Sequence, residues 1–330
     1  MVIPEKMETV SRQIALKDID DSPGPYCMSF GVDLEPLARS IREIGLVNPP
    51  ILKREREGLT VVTGYRRIMA LKELKAETAA SRIISGRDNL RPLECLLLNL
   101  HDNLATRHLN DVEKGMVLSR LEAWVPTKEL VERYMPLLGL RSREEDLHFL
   151  IEMEREFDTP VKTFISEGRL SWQAVKMLSR IDAASRSAIL KWISKLRLNI
   201  NQQSQFIDYL VDLSFIENKS IPHILGEKGL NGPSPDTPVN RPQQAKAVLN
   251  TLKARRNPLI VRAEKQFKKT ISDLNLPDGI QISAPPFFEG ENYRMEVIFR
   301  GGEDLKIKLE GLNRIQGLGT LGHPWREDPE

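Results

Sequence analysis

The sequence predicts an α+β multidomain chain: a small α/β module, an all-helical middle region, and a small helix–strand–strand–helix domain at the end. Three observations predict it. Strand-like and helical signals alternate from residue 13 to about 100. Helical periodicity then runs almost unbroken from about 104 to 215. The stretch GEKGLNGPSPDTPVNRPQ (226–243) has a linker's composition and separates this region from a second mixed one. The chain has 330 residues, more than the roughly 250–300 that one hydrophobic core holds. The expected boundaries are 1–103, 104–225, a linker at 226–243, and 244–330.

In the first module, VDLEPLARSIREIGL places Leu34, Leu37, Ala38, Ile41 and Ile44 at helical spacing, and Gly45 stops the helix. NPPILKR and LTVVT read as strands around the turn EREG, and RIMALKEL as a helix. RPLECLLLNLHDN reads as a buried strand running into a helix. In the middle region a helix starts near Asn110. The stretch from Pro126 to Phe157 reads as helix, turn, helix, with Thr127 as N-cap and Pro136 and Gly139 as breakers. Ser142 and Glu145 have capping-box spacing. Two further helices follow, in EGRLSWQAVKMLSRID and ASRSAILKWISKL. After the linker come a basic helix at about 243–273, strands in GIQIS and YRMEVIF, a helix in GGEDLKIKLEGL, and the frayed tail GHPWREDPE.

The formal net charge is only +2, so nucleic-acid binding has to be argued from local patches. Cys27 and Cys95 stand far apart in no metal-ligand spacing, which predicts two reduced thiols. The N-terminus has no apolar signal region, and no stretch approaches the ~20 apolar residues of a membrane helix. A cytoplasmic protein without a membrane partner is expected.

Two stretches carry chemistry. In VVTGYRRIMALKEL a glycine sits between strand and helix, followed by Arg66 and Arg67. Glycine lets a ligand approach the backbone, the helix N-terminus offers N–H groups, and arginine's planar fork suits phosphate oxygens. By itself the pattern fits an ordinary surface helix better. In HDNLATRHLNDVEKG, Asp102 and Asn103 are hard oxygen ligands of the kind Mg²⁺ takes beside a nucleotide's phosphates, and Arg107 offers a further phosphate contact. A turn or helix cap is the plain alternative. A metal site built from His101, Asp102, His108 and Glu113 is disfavoured, because the spacing of the two histidines suits no single helical face.

The order LARSIREIGLVNPPILKR, LTVVTGYRRIMALKEL, DNLATRHLNDVEKG resembles the N-terminal domain of the ParB family of chromosome- and plasmid-partition proteins. That domain is of the ParB/sulfiredoxin-like type, and its boxes have the forms GERRxRA and ENLQRxxLxPxE. The resemblance implies a CTP pocket with Mg²⁺: Thr63, Gly64, Arg66, Arg67, Asp102 and Asn103 would bind the nucleotide, with Asp102 and Asn103 near the metal. Tyr65 replaces the family's glutamate, Asp102 is one methylene shorter than its acid, and Thr106 stands in the arginine position. SPGPYCMSF stands where the family carries NPYQPRxxF. These departures bear on hydrolysis more than on binding, because hydrolysis needs water and metal placed within tenths of an ångström. Weak CTP hydrolysis stays open. Sulfiredoxin chemistry needs a cysteine beside the loop and a nuclease needs a carboxylate cluster, and neither is present in these boxes.

The resemblance extends to a helix-turn-helix in the middle region, where EGRLSWQAVKMLSRI is similar to the family's GxLSxGHAxALL segment. It would put the helix starting at Ser142 in a major groove. That helix opens with Glu144, Glu145 and Asp146, which suit its own dipole and repel phosphates. DNA contacts are therefore expected from Arg143 and, one helix later, from Arg169, Lys176 and Arg180. In the last domain the basic helix carries Lys265, Lys268 and Lys269, suited to phosphate backbones. YRMEVIFRGGEDLKIKLEGL resembles the family's dimerisation domain, which implies a homodimer. The family works with a ParA-type ATPase, often through a basic N-terminal peptide; here only Lys6 and Arg12 precede the domain.

The functional expectation is a CTP-dependent DNA clamp acting in chromosome or plasmid partition and associated with the nucleoid. The alternative is a nucleotide-independent transcription regulator or DNA-bridging protein on the same scaffold.

Overall fold

A computed structural model describes residues 7–20, 22–31, 33–55, 58–84, 90–227, 230, 240–290 and 292–322. The chain divides into two compact units, residues 1–190 and 191–330. Most of the expected linker, and the tail beyond Gly322, lie outside the described residues.

The first unit begins with a four-stranded sheet of order β1-β4-β2-β3, built from β1 (Thr9–Ala15), β2 (Ile51–Glu55), β3 (Gly58–Thr63) and β4 (Thr78–Ile84). β2 pairs antiparallel with β3 and parallel with β4, while β1 closes the edge antiparallel to β4. α1 (Glu35–Ile44) and α2 (Tyr65–Glu73) pack on each other, and α3 (Pro92–Thr106) packs on β3. Leu16, Ile19, Leu52, Val61, Ile68, Leu71 and Ala79 form the core beneath them. Gly45 does end α1, with φ +78.

Residues 92–103, expected to begin as a strand, belong wholly to α3. Pro92 occupies the first helical turn, and Glu94 accepts hydrogen bonds from the Arg91 backbone N–H and guanidinium. The buried set Cys95, Leu96, Asn99 and Leu100 repeats at helical spacing, which decides the matter.

The helical part of this unit contains α4 (Asp111–Leu121), α5 (Thr127–Glu129), a π-helical stretch Leu130–Tyr134, α6 (Met135–Leu137), α7 (Glu144–Glu156), α8 (Thr159–Ser166) and α9 (Trp172–Leu178). α10 (Ala183–Leu196) follows. Residues 127–137 run as one rod into a turn at Gly139 (φ +70) and then α7, so helix, turn and helix follow in the expected order. The Ser142–Glu145 capping box does not form. α7 is preceded by Arg143 in extended conformation with no side-chain cap, and its three first-turn acids serve the helix dipole. Thr127 lies inside its helix, with Pro126 at the cap position.

The second unit contains α11 (Ile200–Ile216), α12 (Ile221–Gly226), α13 (Arg241–Arg256), α14 (Pro258–Asp273), the hairpin β5 (Ile280–Ser283) and β6 (Arg294–Val297), and α15 (Gly302–Asn313). The basic helix expected over 243–273 is two helices. Pro258 cannot continue the first, and Asn257 before it leaves the helical region (φ −131, ψ 65). α11 packs on α13, so it joins the C-terminal unit although the sequence places it in the middle region.

Candidate nucleotide site and basic surfaces

The strand-to-helix junction forms as the glycine implies. β3 ends on the buried residues Val61, Val62 and Thr63, and Gly64 turns the chain with φ +87. A Cβ here would lie 2.9 Å from Pro50 Cβ and 3.2 Å from Arg67 Nη1. The position therefore excludes a side chain both by backbone conformation and by space. In the first turn of α2 the Arg67 N–H already donates to Gly64 O (2.9 Å).

Around this junction the structure gathers Arg66, Arg67, Asp102, Asn103 and Arg107, but gives each a different task. Arg67 Nη2 approaches Asp102 Oδ2 at 3.5 Å, a loose pair on a partly exposed carboxylate. Arg66 points the other way. Its Nη2 donates to Glu113 Oε1 at 2.8 Å and its Nε to Ser29 Oγ at 3.4 Å. Burial and the neighbouring Arg107 lower the Arg66 pKa from its ordinary value, and Glu113 opposes them. The guanidinium stays charged.

Arg107 is not placed as a further phosphate contact. All five of its N–H groups are taken: Nε by Asn103 Oδ1 (2.8 Å), Nη1 by Glu113 Oε2 (2.6 Å) and His108 O (3.4 Å), Nη2 by Met28 O (2.9 Å) and Ser29 Oγ (3.2 Å). Asn103 is largely occupied too. Its Nδ2 donates to Asn99 O at 2.9 Å and also meets Asn99 Oδ1, while Asn99 donates to Val62 O at 2.5 Å. Of the two expected metal residues, Asp102 has the accessible carboxylate, and Asn103 presents its oxygen to a guanidinium instead. Among the described residues no group of three or more His, Cys, Asp or Glu gathers for a metal.

Sequence reasoning missed Ser29 and Asn99, and weighed Glu113 only as a ligand of a disfavoured metal site. Glu113 is 1 % exposed. Besides the two arginines it accepts from Phe30 N (3.1 Å) and Asn110 N (3.0 Å), and its own N–H donates to Asn110 Oδ1 (3.0 Å). Asn110 and Glu113 thus form the capping box that starts α4. The N-x-x-E spacing at 110–113 was the signal that could have found it. Burial pushes the thiols of Cys27 and Cys95 up, which keeps them protonated and poorly nucleophilic.

The basic residues expected at DNA are scattered. Arg143 and Arg180 are exposed. Arg169 pairs with Glu167 (3.0 Å) and lies 3.8 Å over the Phe164 ring. Lys176 pairs with Asp146 of α7 (3.3 Å). Trp172 packs edge-on against Phe149, and Trp192 is half-buried near Phe206, so both serve packing. In the second unit, Lys265, Lys268 and Lys269 stand exposed on α14. Three charges near the end of α13 are paired, Lys253 with Glu264, Arg255 with Glu217 and Glu227, Arg256 with Asp208 and Asp212, while Arg241 and Lys246 stand exposed. The one-sided basic stripe of the sequence is therefore thinned at the end of α13 and persists on α14.

Among the described residues no helix is long and apolar enough to cross a membrane. No family model matches the chain. Curated relatives do. A probable chromosome-partitioning protein ParB of Campylobacter jejuni is 24% identical over 216 residues, 64% of this chain and 72% of that one. A probable plasmid-partitioning protein ParB of Thermus thermophilus is 28% identical over 148 residues, 43% of this chain and 47% of its own length. Among solved structures, the C-terminally truncated chromosome-partitioning protein ParB from Caulobacter crescentus complexed with CTP-gamma-S is 20% identical. It covers 56% of this chain and 98% of that one, with a TM-score of 0.26. The likeness to ParB proteins accordingly rests on the sequence relatives.

Proposed function

We propose, from the premise that this chain is a divergent relative of the ParB partitioning proteins, that it is a DNA-associated partition protein with a nucleoside-triphosphate pocket at Gly64. One observation carries the pocket: a left-handed glycine pressed against Pro50 opens α2, with Arg67 Nη1 beside it and the Arg66 guanidinium turned toward Ser29 and Glu113. A triphosphate would lie along the first turn of α2, on backbone N–H groups and Arg67, with Arg66 using the donors that Ser29 and Glu113 leave. The box resemblance favours CTP. Asp102 is suited to help hold Mg²⁺, which would shield the charge of the phosphates. Tyr65 supplies no carboxylate for a water, so binding rather than rapid hydrolysis is the function proposed.

DNA contact is assigned to phosphate-backbone contacts by Arg143, Arg169, Lys176 and Arg180, and separately by Lys265, Lys268 and Lys269. Exposed acids on α7 argue against α7 as the reading helix. The last domain is proposed to dimerise. A two-stranded hairpin is marginal alone, and Met295, Ile298, Phe299, Ile307 and Leu309 lie exposed on or beside β6 and on α15.

A second reading, DNA bridging without nucleotide, is favoured by one fact: Arg107 is saturated and Asn103 largely occupied by protein groups. Calorimetric titration of the full chain with CTP, ATP, GTP and UTP, with and without Mg²⁺, separates the two. Binding of CTP above the others supports the pocket. No binding by any of them, with DNA affinity unchanged by CTP, leaves the second reading.

A further inference from the structure

We infer that Glu113 is a positioning residue of the nucleotide site, acting through Arg66 and Arg107; this rests on the nucleotide reading above. Neither arginine could hold its place alone. Each is a flexible side chain, and like charges that share a site repel. Between them lies one carboxylate buried to 1 % exposure. Its Oε1 takes Arg66 Nη2 and Phe30 N; its Oε2 takes Arg107 Nη1 and Asn110 N. Four donors thus converge on two oxygens, which fills the carboxylate's acceptor capacity.

The consequences differ for the two arginines. Arg107 spends every N–H on the protein, so it braces the site rather than touching ligand. Arg66 gives one N–H to Glu113 and one to Ser29, which leaves three of its five facing elsewhere. Glu113 lies too deep to be displaced by a phosphate. It fixes Arg66 before the ligand arrives, and the ligand is spared the entropy of ordering that side chain. The same carboxylate caps α4 and accepts from Phe30 N, and Asn110 and Arg107 add bonds to Phe30 O and Met28 O, so the site is tied to the start of the helical region.

Glu113→Gln is the decisive change. It keeps the volume but turns one acceptor oxygen into an NH₂ that faces two donors. Titration of Mg-CTP into wild type, Glu113→Gln, Arg107→Gln and the double variant, each verified as folded by circular dichroism at the titration temperature, tests the inference. The expected result is a tenfold or greater loss of affinity in each single variant. The double variant should be no worse than the weaker single, because both changes break one bridge. If Glu113→Gln only lowers the melting temperature and the folded protein binds CTP as wild type does, the positioning role is overturned while the nucleotide reading stands. If wild type itself binds no CTP, both fall. Should Glu113→Gln not fold, Ser29→Ala decides: a severalfold loss supports the bridge, and wild-type affinity overturns it.

Discussion

Arginine is gathered around acids in two regions of this molecule, and the two clusters work differently. At the Gly64 junction two arginines share one carboxylate that is 1 % exposed. On α13, Arg255 and Arg256 each meet two acids, and those acids are 20 to 50 % exposed. The first cluster fixes its two cations on one deeply buried acid, with Arg67 only loosely paired beside them at 3.5 Å. The second consumes its cations in docking α13 on α11 and α12. Equal counts of arginine in a sequence therefore say little about a binding surface. What matters is which donors remain after the fold has taken its share.

Breaking the buried cluster gives the largest expected effect. Glu113→Ala strands two guanidinium groups and two backbone N–H groups, and removing one partner of a buried pair costs ~3–5 kcal/mol. A urea titration should show a large fall in midpoint. A shift no larger than that of Glu217→Ala would mean that the two clusters are equivalent. Next comes Gly64→Ala. A side chain at φ +87, pressed on Pro50, should cost about 1–3 kcal/mol and also perturb CTP binding. Smaller again is Arg256→Ala, at roughly 0.5–1 kcal/mol for each exposed pair lost, and reduced further by salt.

The smallest effect is one of pH. Hydrogen bonding to Arg255, helped by Lys219, holds the Glu217 carboxyl below its ordinary value of 4.5. A depressed folded-state pKa contributes stability that is complete above the unfolded value and is lost as pH falls through the folded one. Thermal melts between pH 6 and roughly pH 3 should decline less steeply in Glu217→Gln than in wild type. Parallel declines would remove Glu217 from the account.

Much of this was legible in the sequence where a single residue dictates local geometry. Gly45 and Gly64 each announce a backbone that only glycine adopts easily, and Asn110 announces a helix start. Pro258 announced a break just as plainly, but the continuous run of lysines and arginines masked it. RPLECLLLNLHDN failed for another reason: its leucines are so dense that strand and helix spacing are hard to tell apart. Partner choice was not legible at all. Arg66 and Arg67 are adjacent, yet helical geometry turns them about 100° apart, one toward Glu113 and the other toward Asp102. Ser29 and Glu113, 84 positions apart, both accept from Arg66, through the fold and not through any local pattern.

The division of labour between those two arginines is the most direct test of the account. Melting curves of wild type and Arg67→Ala are to be recorded across a series of Mg-CTP concentrations. Arg67 has only a loose, partly exposed partner, so Arg67→Ala should melt near wild type without nucleotide. Wild type should then rise in melting temperature as CTP is added, by mass action, while Arg67→Ala stays flat. An equal rise in both proteins, or no rise in wild type, would contradict the account.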